Sequence, residues 1–122
     1  MSGHNRRLGV QGETLAADYL EREGYLIEQR GYRCPAGEID LVARRGPVYV
    51  FVEVKTRRSR RYGLPEESIT PRKQAHLIAA AQTYLHDHGA EPAPWRIDVV
   101  AVELDPAGNV QEIRQIENAV RL

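Results

Sequence analysis

Glu38-Ile39-Asp40-Leu41-Val42-Ala43-Arg44-Arg45, then Gly46-Pro47, then Val48-Tyr49-Val50-Phe51-Val52-Glu53-Val54-Lys55-Thr56 is the stretch that decides how this chain folds. Two β-rich runs flank a glycine and a proline at turn spacing, which predicts a hairpin. With the turn centred on Gly46-Pro47, Arg45 faces Val48 and every facing pair sums to 93. Asp40 then lies directly opposite Glu53, with about 5 Å between the two positions. Residues two apart on a strand share a face, so Glu53 and Lys55 point the same way as Tyr49 and Phe51, while Val50, Val52 and Val54 fill the other face. Facing carboxylates repel by roughly 0.2 to 1 kcal/mol unless a cation sits between them, and a divalent metal resolves the conflict. In this register Glu38 faces Lys55 and offers it an ion-pair partner. A slip of one residue would carry Asp40 to the opposite face.

Outward from the hairpin, the pattern of apolar residues sets the remaining elements. Between Asn5 and Gly24, Leu15, Ala16, Tyr19 and Leu20 form one stripe with Asp18, Glu21, Arg22 and Glu23 outside it, predicting an amphipathic helix closed by glycine. Tyr25 to Tyr32 reads as a strand, and Cys34-Pro35-Ala36-Gly37 as a turn. Residues 57 to 68 are polar, contain Gly63 and Pro65, and are expected to form a mobile Arg-rich loop. Thr70 and Pro71 fit the N-cap and first turn of a second helix, whose face of Gln74, Leu77, Ile78, Ala81, Tyr84 and Leu85 runs until Gly89. Trp95 to Leu104 and Val110 to Ile116 are the last strands, joined by Asp105-Pro106-Ala107-Gly108-Asn109. The order is αβββαββ. The strand before and the strand after the second helix form a right-handed crossover and are expected to lie parallel, in a mixed α/β sheet covered by helices on both faces.

The chain has 122 residues, 42% hydrophobic and 28% charged, values of one folded domain spanning 1–122 and far from the disordered regime. Its longest apolar runs, near Val48 to Val54 and Ile97 to Val102, fall well short of the roughly 18 residues that span a bilayer. No apolar stretch follows the first residues, and Cys34 is the only cysteine, so a reducing cytoplasm is the expected compartment. The formal net charge is zero, which excludes a generic polycation that coats nucleic acid by charge alone. Positive charge is instead local. Lys55-Thr56-Arg57-Arg58-Ser59-Arg60-Arg61 carries five cations in seven residues, either a solvated loop or one side of a phosphate track.

Of the 17 cations, 15 are arginine; the two lysines are Lys55 and Lys73. Where arginine is the default, a retained lysine points to a need for a compact point charge, as in holding a hydroxide or a phosphoryl oxygen. Arg72 and Lys73 stand in the first turn of the second helix, where the macrodipole disfavours cations and a bound phosphate would reverse the sign. Gln74, on the apolar face of that turn, is placed to reach either the acids or a scissile phosphate, the alternative being an amide hydrogen-bonded to backbone. Glu13 lies beside the stripe that packs the first helix on the sheet, and Gly12 next to it weakens the helix by about 1 kcal/mol, which points to a close approach. His86-Asp87-His88 and Cys34 offer no constellation of catalytic spacing, and Asp98, within an apolar strand after Arg96, reads as a structural acid satisfied by its neighbours.

Gly12-Glu13, Gly37-Glu38-Ile39-Asp40-Leu41-Val42-Ala43, Phe51-Val52-Glu53-Val54-Lys55-Thr56-Arg57 and Arg96-Ile97-Asp98-Val99-Val100 together resemble the YraN-like family of small bacterial proteins, whose fold is similar to Holliday junction resolvases of the PD-(D/E)xK nuclease superfamily. The resemblance covers nearly the whole chain. It implies a restriction-endonuclease-like domain, Asp40, Glu53 and Glu13 as metal ligands for Mg²⁺ or Mn²⁺, Lys55 as the catalytic lysine and Gln74 as an accessory residue. Isoleucine rather than proline precedes Asp40, and Arg30-Gly31-Tyr32-Arg33 lacks the asparagine that many relatives carry after the first strand. The implied activity is metal-dependent hydrolysis of DNA phosphodiester bonds, selective for structure rather than base sequence, with Arg57, Arg58, Arg60, Arg61, Arg72 and Lys73 along the nucleic acid and a homodimer on symmetric junctions. The alternative is a nucleic-acid or protein-binding module on the same fold without turnover.

Overall fold

The computed structural model describes residues 3–58 and 63–122, with the backbone alone at 3–7 and 68. Its elements are α1 (Gly3–Arg22), β1 (Leu26–Cys34), β2 (Gly37–Arg45), β3 (Val48–Arg57), a 3₁₀ turn at Pro65–Ser68, α2 (Pro71–Asp87), β4 (Trp95–Leu104) and β5 (Val110–Ile116). The αβββαββ order read from the sequence is the observed one. The five strands form one sheet in chain order, antiparallel except for the β3–β4 pair.

The β2–β3 register follows from its turn. Gly46 adopts φ +59°, the left-handed conformation that glycine tolerates without strain. Arg45 pairs with Val48, Ala43 with Val50 and Leu41 with Val52, as the expected sum requires. On one side of the sheet Ala16, Ala17 and Leu20 of α1 pack with Leu41, Ala43, Val50, Val52, Val100 and Val102. On the other, Leu77, Ala80, Ala81, Tyr84 and Leu85 of α2 pack with Ile39, Val42, Phe51 and Ile97. β3 and β4 are thus apolar on both faces because both faces are covered.

Thr70 caps α2: its side-chain oxygen accepts from the Lys73 backbone N–H at 3.1 Å, with Pro71 in the first turn. At the opposite helix Gly12 is buried, and a β-carbon there would stand 3.0 Å from the Thr56 β-carbon and closer still to its hydroxyl. The close approach that Gly12 foretold is therefore between α1 and the end of β3, and it sets how near Glu13 comes to the hairpin.

Candidate active site

The β2–β3 ladder ends at Leu41 and Val52. One step further, where Asp40 and Glu53 stand opposite each other, the pattern changes: the Val54 N–H donates at 2.8 Å to Oδ2 of the Asp40 side chain. The Asp40 carboxyl also lies in hydrogen-bond contact with Glu53. Burial first, and then the facing Glu53 charge, push the Asp40 carboxyl up to about 8, outweighing the Val54 N–H that stabilises its anion. Glu13 from α1 is close enough for its charge to be felt by both acids. Its own carboxyl is raised chiefly by burial and also by Glu53 and Glu38, against the lowering effect of Arg30.

Glu53 is nearly sealed, at 3% exposure. An isolated buried carboxylate would be strongly disfavoured, and here two ammonium groups answer it. Lys55 Nζ lies 3.5 Å and Lys73 Nζ 3.3 Å from the same oxygen, Glu53 Oε2. The two lysines of the chain thus converge on one atom. Lys55 takes Glu53 as its partner, while Glu38 pairs with Arg33 at 3.3 Å; the cross-strand Glu38–Lys55 pair allowed by the register gives way to an along-strand pair. Lys73, expected on a phosphate track, is drawn into the carboxylate centre. No periodicity signals that contact, because it joins a helix to a strand; only the scarcity of lysine hinted at it.

A cleft of about 360 Å³ opens onto the site, lined by Leu8, Gly9, Glu13, Asp40, Val54, Thr56 and Arg57. Asp40 therefore meets solvent from the cleft, whereas Glu53 lies behind it. The Gln74 amide donates to the Ile69 carbonyl at 3.4 Å, a backbone partner. Arg57 lines the cleft and Arg58 lies near Gly108 of the β4–β5 turn, 3.6 Å from where a β-carbon would stand. Arg72 is exposed in the first turn of α2. Arg60 and Arg61 lie outside the described residues.

Among the described residues no group of three or more His, Cys, Asp or Glu is arranged to hold a metal. Glu13 does not complete a three-carboxylate cluster with Asp40 and Glu53. The donor set present is a facing pair of carboxylates, which fits Mg²⁺ or Mn²⁺ in the manner of ions that keep several waters and take one or two carboxylates, and does not fit an all-protein cage.

Asp98 is fully buried and fully used: Arg96 donates to it from Nε at 3.0 and 3.3 Å and from Nη2 at 3.2 Å, Gln115 at 2.9 Å and the Asn118 N–H at 3.1 Å. It is the satisfied structural acid expected from its apolar strand. His86 is paired with Glu91 at 2.8 Å, and His88 stacks on Tyr84, which leaves neither poised as a ligand.

The electrostatics of the fork make a prediction for the metal-free protein. Asp40 has a folded pKa near 8 against an ordinary 3.8, so the folded state binds the extra proton between these values. Stability from this group is present below pH 4 and is lost as pH rises toward 8. Asp40→Asn, which keeps an acceptor for Val54 without the charge, should match the wild type near pH 4 and exceed it at pH 8 in EDTA. The expected result is a Tm advantage for the variant that widens steadily from pH 4 to pH 8. A wild-type melting temperature that stays level with the variant at both pH values would contradict the close opposition of the two acids.

An open mixed sheet between two helices, with a carboxylate pair and lysines where a β-hairpin forks, defines the class of protein. Within that class, residues 12–102 match the uncharacterised protein family UPF0102, and the chain belongs to that family, the YraN-like group expected from its motifs. The UPF0102 protein of Symbiobacterium thermophilum is 51% identical over 115 residues, covering 94% of this chain and 97% of that one. The relative from Dehalococcoides mccartyi is 50% identical, over 85% of this chain and 86% of its own, and that from Roseiflexus castenholzii 48% identical, over 98% of each. Among solved structures, Pyrococcus furiosus SfsA in complex with Ca²⁺ is similar with a TM-score of 0.45 and 17% identity, over 97% of this chain and 65% of that one. No helix is long and apolar enough to cross a membrane among the described residues.

Proposed function

We propose that this protein is a metal-dependent endonuclease that hydrolyses DNA phosphodiester bonds. The observation that carries the reading is the opposition of Asp40 and Glu53 at the hairpin fork, with Lys55 on the same oxygen-rich site and an open cleft beside it. Asp40 and Glu53, with the Val54 carbonyl, would hold Mg²⁺ or Mn²⁺, and Glu13 would act through a water. When bound, the ion supplies Lewis acidity toward a phosphoryl oxygen and a water of lowered pKa. Lys55 orients the attacking water or neutralises the charge that develops on the phosphoryl oxygens, from an edge position that is 27% exposed. Arg57 borders the cleft where the phosphate backbone would pass. With Arg58, Arg60, Arg61 and Arg72 it would provide contacts that position the strand without reading bases. Branched or structured DNA is the preferred substrate on this reading, a homodimer the form that would meet a symmetric junction, and the cytoplasm the compartment, in keeping with the lone free thiol of Cys34.

One observation favours the second reading, a binding module without turnover: Lys55 and Lys73 already neutralise Glu53 with no metal required. The two separate in a single experiment. The protein is incubated with duplex, single-stranded, flap and four-way DNA, in Mg²⁺, Mn²⁺ or EDTA, and binding and cleavage are measured together. Metal-dependent cutting that disappears in Glu53→Gln supports the nuclease. Binding that survives EDTA, with no cleavage in either metal, supports the module, and no binding to any DNA at low salt removes both.

A further inference from the structure

Asp40 lines the cleft and Glu53 does not, although the two carboxyls touch. What holds Glu53 back is visible in its contacts. Its Oε2 carries both Lys55 Nζ and Lys73 Nζ, at 3.5 and 3.3 Å, in surroundings only 4% open to solvent at the side chain. The two lysines are not equivalent. Lys55 sits two residues along the same strand and moves with Glu53, so their pairing is fixed by the pleat. Lys73 comes from α2, on a separate element; its backbone N–H is pinned by the Thr70 cap while its side chain, 38% exposed, spans the gap to β3. A lysine stem has four rotatable carbons, so Nζ can leave Glu53 without the helix moving.

From this geometry we infer that Lys73 is a positioning residue that acts as a displaceable counter-ion, occupying the charge position on Glu53 that a divalent cation must take. Resting on the metal reading above, the inference adds a competition: in the metal-free protein Lys73 neutralises Glu53, and metal loading requires its ammonium to swing away into solvent or onto an incoming phosphate. The placement of both lysines on one oxygen has a simple rationale here. A single ammonium suffices to offset one buried carboxylate, and the second is then free to be given up. Lys55 remains as Glu53's partner, so the carboxylate is never left alone during the exchange.

The test measures metal binding rather than cleavage. Mn²⁺ is titrated into the full-length wild type and into Lys73→Met, which keeps the apolar stem, and Kd is read by calorimetry and by the rise of Tm with Mn²⁺. Loss of the competing charge should tighten Mn²⁺ binding about tenfold, while Tm in EDTA stays close to that of the wild type because Lys55 still answers Glu53. Lys73→Arg, which restores the positive charge, should return Kd to within about twofold of the wild type. A merely structural pair would lower Tm with and without metal and leave Kd unchanged or weaker, and that result overturns the inference. Should Lys73→Met fail to fold, Lys73→Gln takes its place with the same expectation. If the wild type and every variant bind no Mn²⁺, the metal reading itself fails and the competition with it. Wild-type binding equal to that of a folded Lys73→Met removes the competition alone.

Discussion

Lys55→Ala is expected to reduce metal-dependent DNA cleavage by roughly 10²- to 10⁴-fold while leaving the fold intact. The expectation rests on two separate facts. Lys55 Nζ stands at the site edge, 27% exposed and beside Glu53, where it can meet a phosphoryl oxygen or an attacking water. Its removal leaves Glu53 with Lys73 at 3.3 Å, so the carboxylate stays neutralised and the loss is not one of stability. The measurement is turnover of a cut DNA substrate in Mn²⁺ alongside thermal denaturation of the same preparation. Full turnover by the variant would show that the chemistry belongs elsewhere, and a large fall in Tm would show that Lys55 serves the fold rather than the reaction.

The largest effect on stability is expected at Asp98→Ala, at a residue outside the lining of the cleft. Asp98 is 0% exposed, and the groups that donate to it come from β4, β5 and the segment after β5. Arg96 also donates from Nη2 to the Tyr25 hydroxyl at 2.7 Å, and Gln115 to the same hydroxyl at 3.2 Å. Truncating the carboxylate leaves a guanidinium that is 20% exposed, an amide and a backbone N–H without their acceptor. Breaking one partner of such a buried pair costs about 3–5 kcal/mol, which for a domain of this size lowers Tm by more than ~10 °C. Denaturant unfolding of wild type and variant reads the difference directly. A change under about 1 kcal/mol would mean that water takes over the acceptor role.

These two residues mark how far the sequence could be read. The hairpin register was legible because Gly46-Pro47 pins the turn and a period of two then fixes every facing pair. Asp40 opposite Glu53, the parallel β3–β4 crossover, the Thr70 cap and the close approach at Gly12 all follow from local chemistry of that kind. Asp98 was legible only as a buried acid that must be satisfied. Its partners Gln115, Asn118 and, through Arg96, Tyr25 lie on separate elements, and no local pattern names them. The same limit hid the Lys73–Glu53 contact and the turn of Gln74 toward Ile69. It also hid the register irregularity between Ile27 and Gln29, which depends on how β1 meets β2 rather than on β1 itself.

The strand pairings have a consequence for the order in which the molecule assembles. Arg45 and Val48 are three positions apart and Leu41 and Val52 eleven, so the β2–β3 hairpin closes a short loop. Tyr49 and Trp95, like every pair between β3 and β4, are 46 positions apart and must wait for the crossover through α2. Long-range closure is slow relative to hairpin formation. The acids of the fork are thus expected to come face to face early, in a hairpin still open to water, where their repulsion is screened. Burial of Glu53, and the arrival of Lys73 on α2 to answer it, belong to the later step. The parallel pair therefore acts as the gate between a tolerated surface conflict and an interior one, and the second ammonium arrives with the element that closes that gate.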